Sequence, residues 1–173
     1  MLTKNWFAWM NAVGRMKTSG SPASVFIGKD GSEVSMNADS LKGSSGGAAG
    51  CQWLEALTKY ANENKADGVS FGSGTATPTI DDYDIENIIV DLQVQLPSAP
   101  TPLYGNNYTE YRCVYSVTAT TECTITEIGL TAHGVVSSSN KPYYLVDHTM
   151  LDTPIHLNAG ESTNITYTFR FYH

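Results

Sequence analysis

The densest set of ligand-type side chains lies just after residue 80. Asp81, Asp82, Asp84 and Glu86 follow the glycine turn Gly72-Ser73-Gly74. Oxygen donors gathered on a tight loop are what a hard cation such as calcium requires. The spacing departs from the EF-hand pattern, which needs a glycine at the sixth position and a glutamate at the twelfth. Asp81, Asp82 and Asp84 are therefore weak calcium candidates. The plainer reading is a turn cluster, in which short acidic side chains accept hydrogen bonds from nearby backbone N–H groups. No metal or other cofactor is expected.

Other chemistry finds less support. His133, His148, His156 and His173 never stand two or four residues apart, so only the fold could gather them into a metal site. Surface or interface histidines are the simpler reading. Residues 43–50, GSSGGAAG, lack the closing Gly-Lys-Ser/Thr of a phosphate loop and read as a flexible linker. The serine-rich runs carry no Gly-x-Ser-x-Gly elbow. Seventeen acidic residues offer many accidental carboxylate pairs and no distinguished one. Cys51, Cys113 and Cys123 have no metal-ligand spacing and read as free thiols, with a Cys113–Cys123 bridge as the alternative. No catalytic residue is assigned, and the chain is expected not to be an enzyme.

Composition agrees. The 173 residues suit one domain or a domain with a small appendage. Charged residues are only 16%, below the usual quarter, so Ser, Thr, Asn and Gly must cover much of the surface. The net charge of −7 comes without a basic stripe, which argues against nucleic-acid binding. Lys4, Asn5, Asn11 and Arg15 interrupt the first apolar stretch, so it reads as neither signal peptide nor membrane span. Synthesis and assembly in a reducing cytoplasm follow as expectations.

The elements that must position these residues are mostly strands. Ile165, Tyr167, Phe169 and Phe171 alternate with Asn164, Thr166, Thr168 and Arg170, the period of a half-buried strand. With 155–157 this strand forms the expected closing hairpin. Residues 88–96 alternate in the same way. Tyr111, Cys113, Tyr115 and Val117 share one face, and 122–130 returns with a phase slip that predicts a bulge at 127–129. Residues 143–151 are apolar on both sides, as expected of a strand between layers or against a partner. A small hairpin is expected over 25–36, with an Asp-Gly turn. Trp6, Trp9, Met10 and Val13 have helical spacing behind a Thr3 cap, and residues 51–64 give a second helix. The expected architecture is a mainly β, antiparallel β-sandwich, jelly-roll or immunoglobulin-like. It carries an N-terminal amphipathic helix and one inserted helix. The organisation reads as a docking helix (1–20), a hairpin, linker and helix (21–66) and the sandwich (67–173).

The order GSGTATPTIDDYDIEN, then TITEIGL, then YLVDHTMLDTPIHLNAGESTNITYTFRF resembles a group of small bacteriophage virion proteins. Their pattern is a Gly-x-Gly-Thr-x-x-Pro-Thr turn leading to Asp-Tyr, an Ile-x-Glu-Ile-Gly-Leu strand, and Leu-Asp-x-Pro-Ile followed by Ala-Gly-Glu and Tyr-x-Phe-Arg-Phe. The resemblance covers residues 68–172 and implies a β-sandwich building block of a virion, on head, neck, tail or fibre. The implied partners are other virion proteins and further copies of the chain, in a homo-oligomer, with neither nucleic acid nor membrane. Trp6, Phe7, Trp9 and Met10 are the expected partner contacts, since aromatic residues are enriched at interface cores. Deleting residues 1–17 is then expected to leave a folded monomer. The alternative is a carbohydrate- or receptor-binding fibre module, with Tyr104, Tyr108, Tyr143 and Tyr144 as candidate sugar-stacking residues.

Overall fold

The computed structural model describes residues 1–14, 23–41, 52–62, 66–98, 100–135 and 141–172. The predicted linker at 43–50, the helix stop at 18–22, Cys51, His173 and residues 136–140 lie outside them.

The fold is mainly β, with antiparallel sheets packed together. Its elements are α1 (Lys4–Gly14), β1 (Ser24–Ile27), β2 (Glu33–Met36), a 3-10 turn (Ala38–Leu41) and α2 (Gln52–Ala56). Then come β3 (Gly68–Gly72), β4 (Leu92–Gln95), β5 (Pro102–Tyr104), β6 (Tyr108–Ala119), β7 (Cys123–His133), β8 (Tyr143–Leu157) and β9 (Ser162–Tyr172). One sheet has the order β3-β7-β8. In the other, β4 and β5 pair with opposite ends of one edge of β6, and β9 pairs with its other edge. Phe71 and Tyr115 meet edge to face between the sheets, and the Tyr167 hydroxyl donates to Asp147 Oδ2 at 2.6 Å. Burial raises the Tyr167 phenol well above its ordinary range, and the Asp147 charge adds to this.

The return from 111–117 to 122–130 and the expected closing hairpin are instead crossings between sheets. The strands flanking Thr120 and Thr121 lie in different sheets, because β6 pairs with β4, β5 and β9 while β7 pairs with β3 and β8. Likewise β8 ends on buried Leu157, and the turn at 158–161 carries the chain across to β9 on the other sheet. The Ala119 N–H donates to the Glu161 carbonyl and the Gly160 N–H to the Ala119 carbonyl, so the two crossings bond to each other. Gly160 has φ +81°, which favours glycine there. Strand periodicity marks which face is buried, not which sheet covers it.

The predicted strand 88–96 also divides. Ile88 bridges Gly72 and the Ile89 N–H donates to the Phe71 carbonyl on β3; only Leu92–Gln95 continues as β4, on β6. The helix predicted over 51–64 is five residues long. Thr58 and Lys59 close tight turns onto Glu55 and Ala56, and the chain then bonds to β3 through Lys59 and Ala61. Gly68, at φ +145°, lets that pairing come close, since a Cβ would strike the Lys59 carbonyl. The 25–36 hairpin forms as expected, with Phe26 opposite Val34. No bulge falls at 127–129, where Glu127, Ile128 and Gly129 pair in step with Met150, Thr149 and His148; the register shifts lie on either side, at Ile125/Glu127 and Leu130/Thr131.

The two helices join the core. Trp6 stacks on Trp9 at 5.1 Å and lies 5.3 Å from Phe169; Trp53 of α2 lies against Tyr111, Phe169 and Phe171. Thr3 does not cap α1 with its side chain; its hydroxyl donates to the Leu145 carbonyl on β8. Asn5 bonds Ile27 on β1 and Leu145 on β8, tying helix, hairpin and sheet at one point. The two-sided apolar character of 143–151 is thus met within the chain.

Asp67 ties the turn after α2 to the end of β7, pairing with Lys59 (2.7 Å) and His133 (3.2 Å). Burial raises its pKa, but the close His133 and Lys59 side chains outweigh burial and hold it near 2, against an ordinary 3.8. A depressed carboxylate contributes stability that is complete above 3.8 and is lost as pH falls through about 2. Urea titrations should therefore show Asp67→Asn less stable than wild type at pH 6, with the gap closing as pH falls from 4 toward 2. A gap that stays constant across that window would contradict the assignment.

Candidate functional site

Glu127 sits mid-strand in β7 and is fully buried. A lone buried carboxylate is costly unless every lone pair is satisfied. Here Oε1 accepts the Gly74 and Asn87 N–H groups at 2.8 and 2.9 Å. Oε2 accepts the Glu86 N–H at 3.1 Å and pairs with His148 Nε2 at 2.8 Å. On the far side of the imidazole, Nδ1 lies 2.6 Å from Asp82 Oδ2. The His148 imidazole thus lies between two carboxyl groups, with one ring nitrogen bonded to each. Burial raises the Asp82 pKa, but bonds from the Thr79 hydroxyl and N–H and from His148 outweigh it, and the net shift is downward.

The three segments behind the phage resemblance therefore converge on one place. The glycine turn and acidic loop (72–87) fold over β7 and β8, and Glu127 of TITEIGL holds the loop from beneath. His148 of YLVDHTML links both to Asp82. The glycines make room: a Cβ on Gly72 would fall on the Glu127 carboxylate and the Asn87 carbonyl, and one on Gly74 on Glu127 and Glu86. On Gly129 it would strike Ile85. Chemically, the carboxylate–imidazole–carboxylate line is a clamp. Both Glu127 oxygens are fully engaged, and the nearest hydroxyl in the line, Thr79 Oγ1, donates to Asp82 rather than to the imidazole.

The calcium candidates are drawn apart. Asp82 serves the clamp, Asp84 pairs with Lys29 at 2.8 Å, and Asp81 pairs with Lys4. Among the described residues, no three His, Cys, Asp or Glu side chains are placed to hold one metal ion. Cys113 and Cys123 are both free thiols.

Among the expected partner contacts, Trp6 and Trp9 are only 5% and 8% exposed. This corrects their assignment: their rings fill the space against Trp53, Phe169 and Phe171. Phe7 and Met10 are 54% and 51% exposed on the helix's outer flank.

The four tyrosines do not form one platform either. Tyr144 is buried against Phe26, which removes it as a sugar-stacking residue. Tyr143 leans on His133. Tyr104 is 78% exposed, but it pairs with Thr109 across the strands, whereas Tyr108 pairs with Tyr172. Adjacent positions on β6 point to opposite faces, so Tyr104 and Tyr108 are on opposite sides of the sheet. Tyr108 supports the Arg170 guanidinium at 4.5 Å. Arg170 and Arg112 both bind Glu110. The Arg170 bond, then that of Arg112, holds the Glu110 pKa below its ordinary value against burial.

Glu127 and Glu110 carry no assigned role in the sequence reading, and His148, expected there as a surface or interface histidine, is instead buried at 3% exposure between Glu127 and Asp82. The usable signal was a charged residue inside an otherwise apolar strand, since such a residue is buried only when paired. No helix among the described residues is long and apolar enough to cross a membrane. Comparison with family models, with curated proteins and with solved structures finds no match.

Proposed function

We propose that the chain is a non-enzymatic structural subunit of a bacteriophage virion, which assembles with copies of itself and with other virion proteins. The observation that supports this most is the convergence of the three resembling segments on one buried clamp. Their shared residues fix a loop on a sandwich, which is the work of a building block. The outer face of the β4/β5-β6-β9 sheet, with Thr166, Thr168 and Val114 exposed and its charges Glu110, Arg112 and Arg170 paired with one another, suits repeated subunit contact. Peptide mass spectrometry of gradient-purified particles tests the reading. The chain is expected at a fixed ratio to the major particle protein. Its absence from washed particles, with abundance in the lysate, would contradict the proposal.

A further inference from the structure

Sheet edges expose unpaired backbone groups, and natural proteins guard them with partners, short length, proline, lysine or bulges. Most edges of this sandwich are guarded. Along β3, the Val69 N–H donates to the Lys59 carbonyl and the Val69 carbonyl accepts from the Ala61 N–H, while the Ile89 N–H donates to the Phe71 carbonyl and the Ser73 N–H to the Asn87 carbonyl. Along β8, Thr3 donates to the Val146 carbonyl and Lys29 to the Tyr143 carbonyl; further on, the strand is bulged opposite Thr126, with Pro154 in the bulge. The edge strands β4 and β5 are four and three residues long, and β5 begins with Pro102.

β9 differs from all of these. It is eleven residues long and pairs with β6 in unbroken register from Ser162 to Tyr172. It contains no proline, glycine or lysine. Among the described residues no strand pairs with its other edge. Its one charge, Arg170, is already bound to Glu110.

We infer that this edge is completed by the β9 of a second copy, antiparallel about a two-fold axis at Tyr167. This rests on the self-assembling part of the proposed function and not on the phage origin. The register that uses all eleven residues is self-complementary. On the solvent face, Thr166 stands opposite Thr168 of the second copy and Asn164 opposite its Arg170. On the core face, Ile165 stands opposite Phe169. No like charges oppose, and cross-strand Thr–Thr and aromatic–β-branched pairs are favourable. An isologous contact of this kind closes as a dimer and fuses the two β6-containing sheets into one.

Light scattering on the purified chain tests it. Wild type is expected at twice the 18.7 kDa chain mass. Thr166→Lys with Thr168→Lys puts like charges opposite one another twice, as does the matching double glutamate variant. Each is expected to weaken dimerisation at least tenfold while keeping the wild-type near-ultraviolet circular dichroism. An equimolar mixture is expected to recover dimers, since every lysine then meets a glutamate. Peptides from 162–172 in wild type should exchange amide hydrogens more slowly as concentration rises. A wild-type monomer whose exchange ignores concentration overturns the inference, as do charge variants that assemble like wild type or a mixture that stays monomeric. Wild-type assembly indifferent to these charges leaves the virion reading standing. Absence from particles overturns the virion reading and leaves the edge contact standing.

Discussion

Glu127→Ala is expected to cost on the order of 3–5 kcal/mol, since each buried donor left without its acceptor costs roughly 1–3 kcal/mol. The native carboxylate accepts from Gly74, Glu86, Asn87 and His148. Alanine leaves the three backbone N–H groups without an acceptor, and His148 with only Asp82. Domain stability is about 5–15 kcal/mol, so the variant should unfold at much lower urea or accumulate insoluble. Glu127→Gln keeps the shape and one acceptor oxygen, but it turns an amide N–H toward groups that are themselves donors. Its stability should fall between those of alanine and wild type. Urea denaturation at pH 7 reads both. A Glu127→Ala protein within 1 kcal/mol of wild type would show that the loop at 72–87 is held by something else.

Trp53→Ala is the second large loss expected, about 3–5 kcal/mol, as for other buried aromatic truncations. Trp53 lies within ring contact of Trp6, Trp9, Tyr111, Phe169 and Phe171, so no single neighbour can collapse into the space. The exposed Phe7→Ser supplies the contrast and should change stability by no more than about 0.5 kcal/mol. Deletion of residues 1–14 removes Trp6, Trp9 and the Thr3 bonds to β8. It should therefore destabilise the sandwich, where the sequence alone led to the expectation of a folded monomer. If the deletion variant melts like wild type, the helix is an appendage after all.

Much of the fold is legible in the residues. The alternation of Ile165, Tyr167 and Phe169 places them inward, and all three are buried. Cys113, Tyr115 and Val117 follow the same rule. Sheet membership was not legible, because a crossing and a hairpin present the same period-two pattern with the same short polar connection. The helix at 51–64 misled because Trp53, Leu54 and Leu57 have helical spacing, while the hydrogen bonds that end the helix come from β3. Trp6 and Trp9 look like interface aromatics only so long as the partner is sought outside. Trp6 packs on Phe169 and Phe171, more than 150 residues away in the same chain, and Trp9 on Trp6 and Trp53. The acidic loop held its chemistry in plain sight, yet the residue that organises it, Glu127, lies forty residues further on. Only the juxtaposition of β7 with the loop reveals it.

Cryo-electron microscopy of the intact particle tests the virion assignment most directly. Density for the two-sheet sandwich is expected at symmetry-related positions on the particle, with neighbouring copies in contact. A particle reconstructed to side-chain detail with no place for this chain would contradict it.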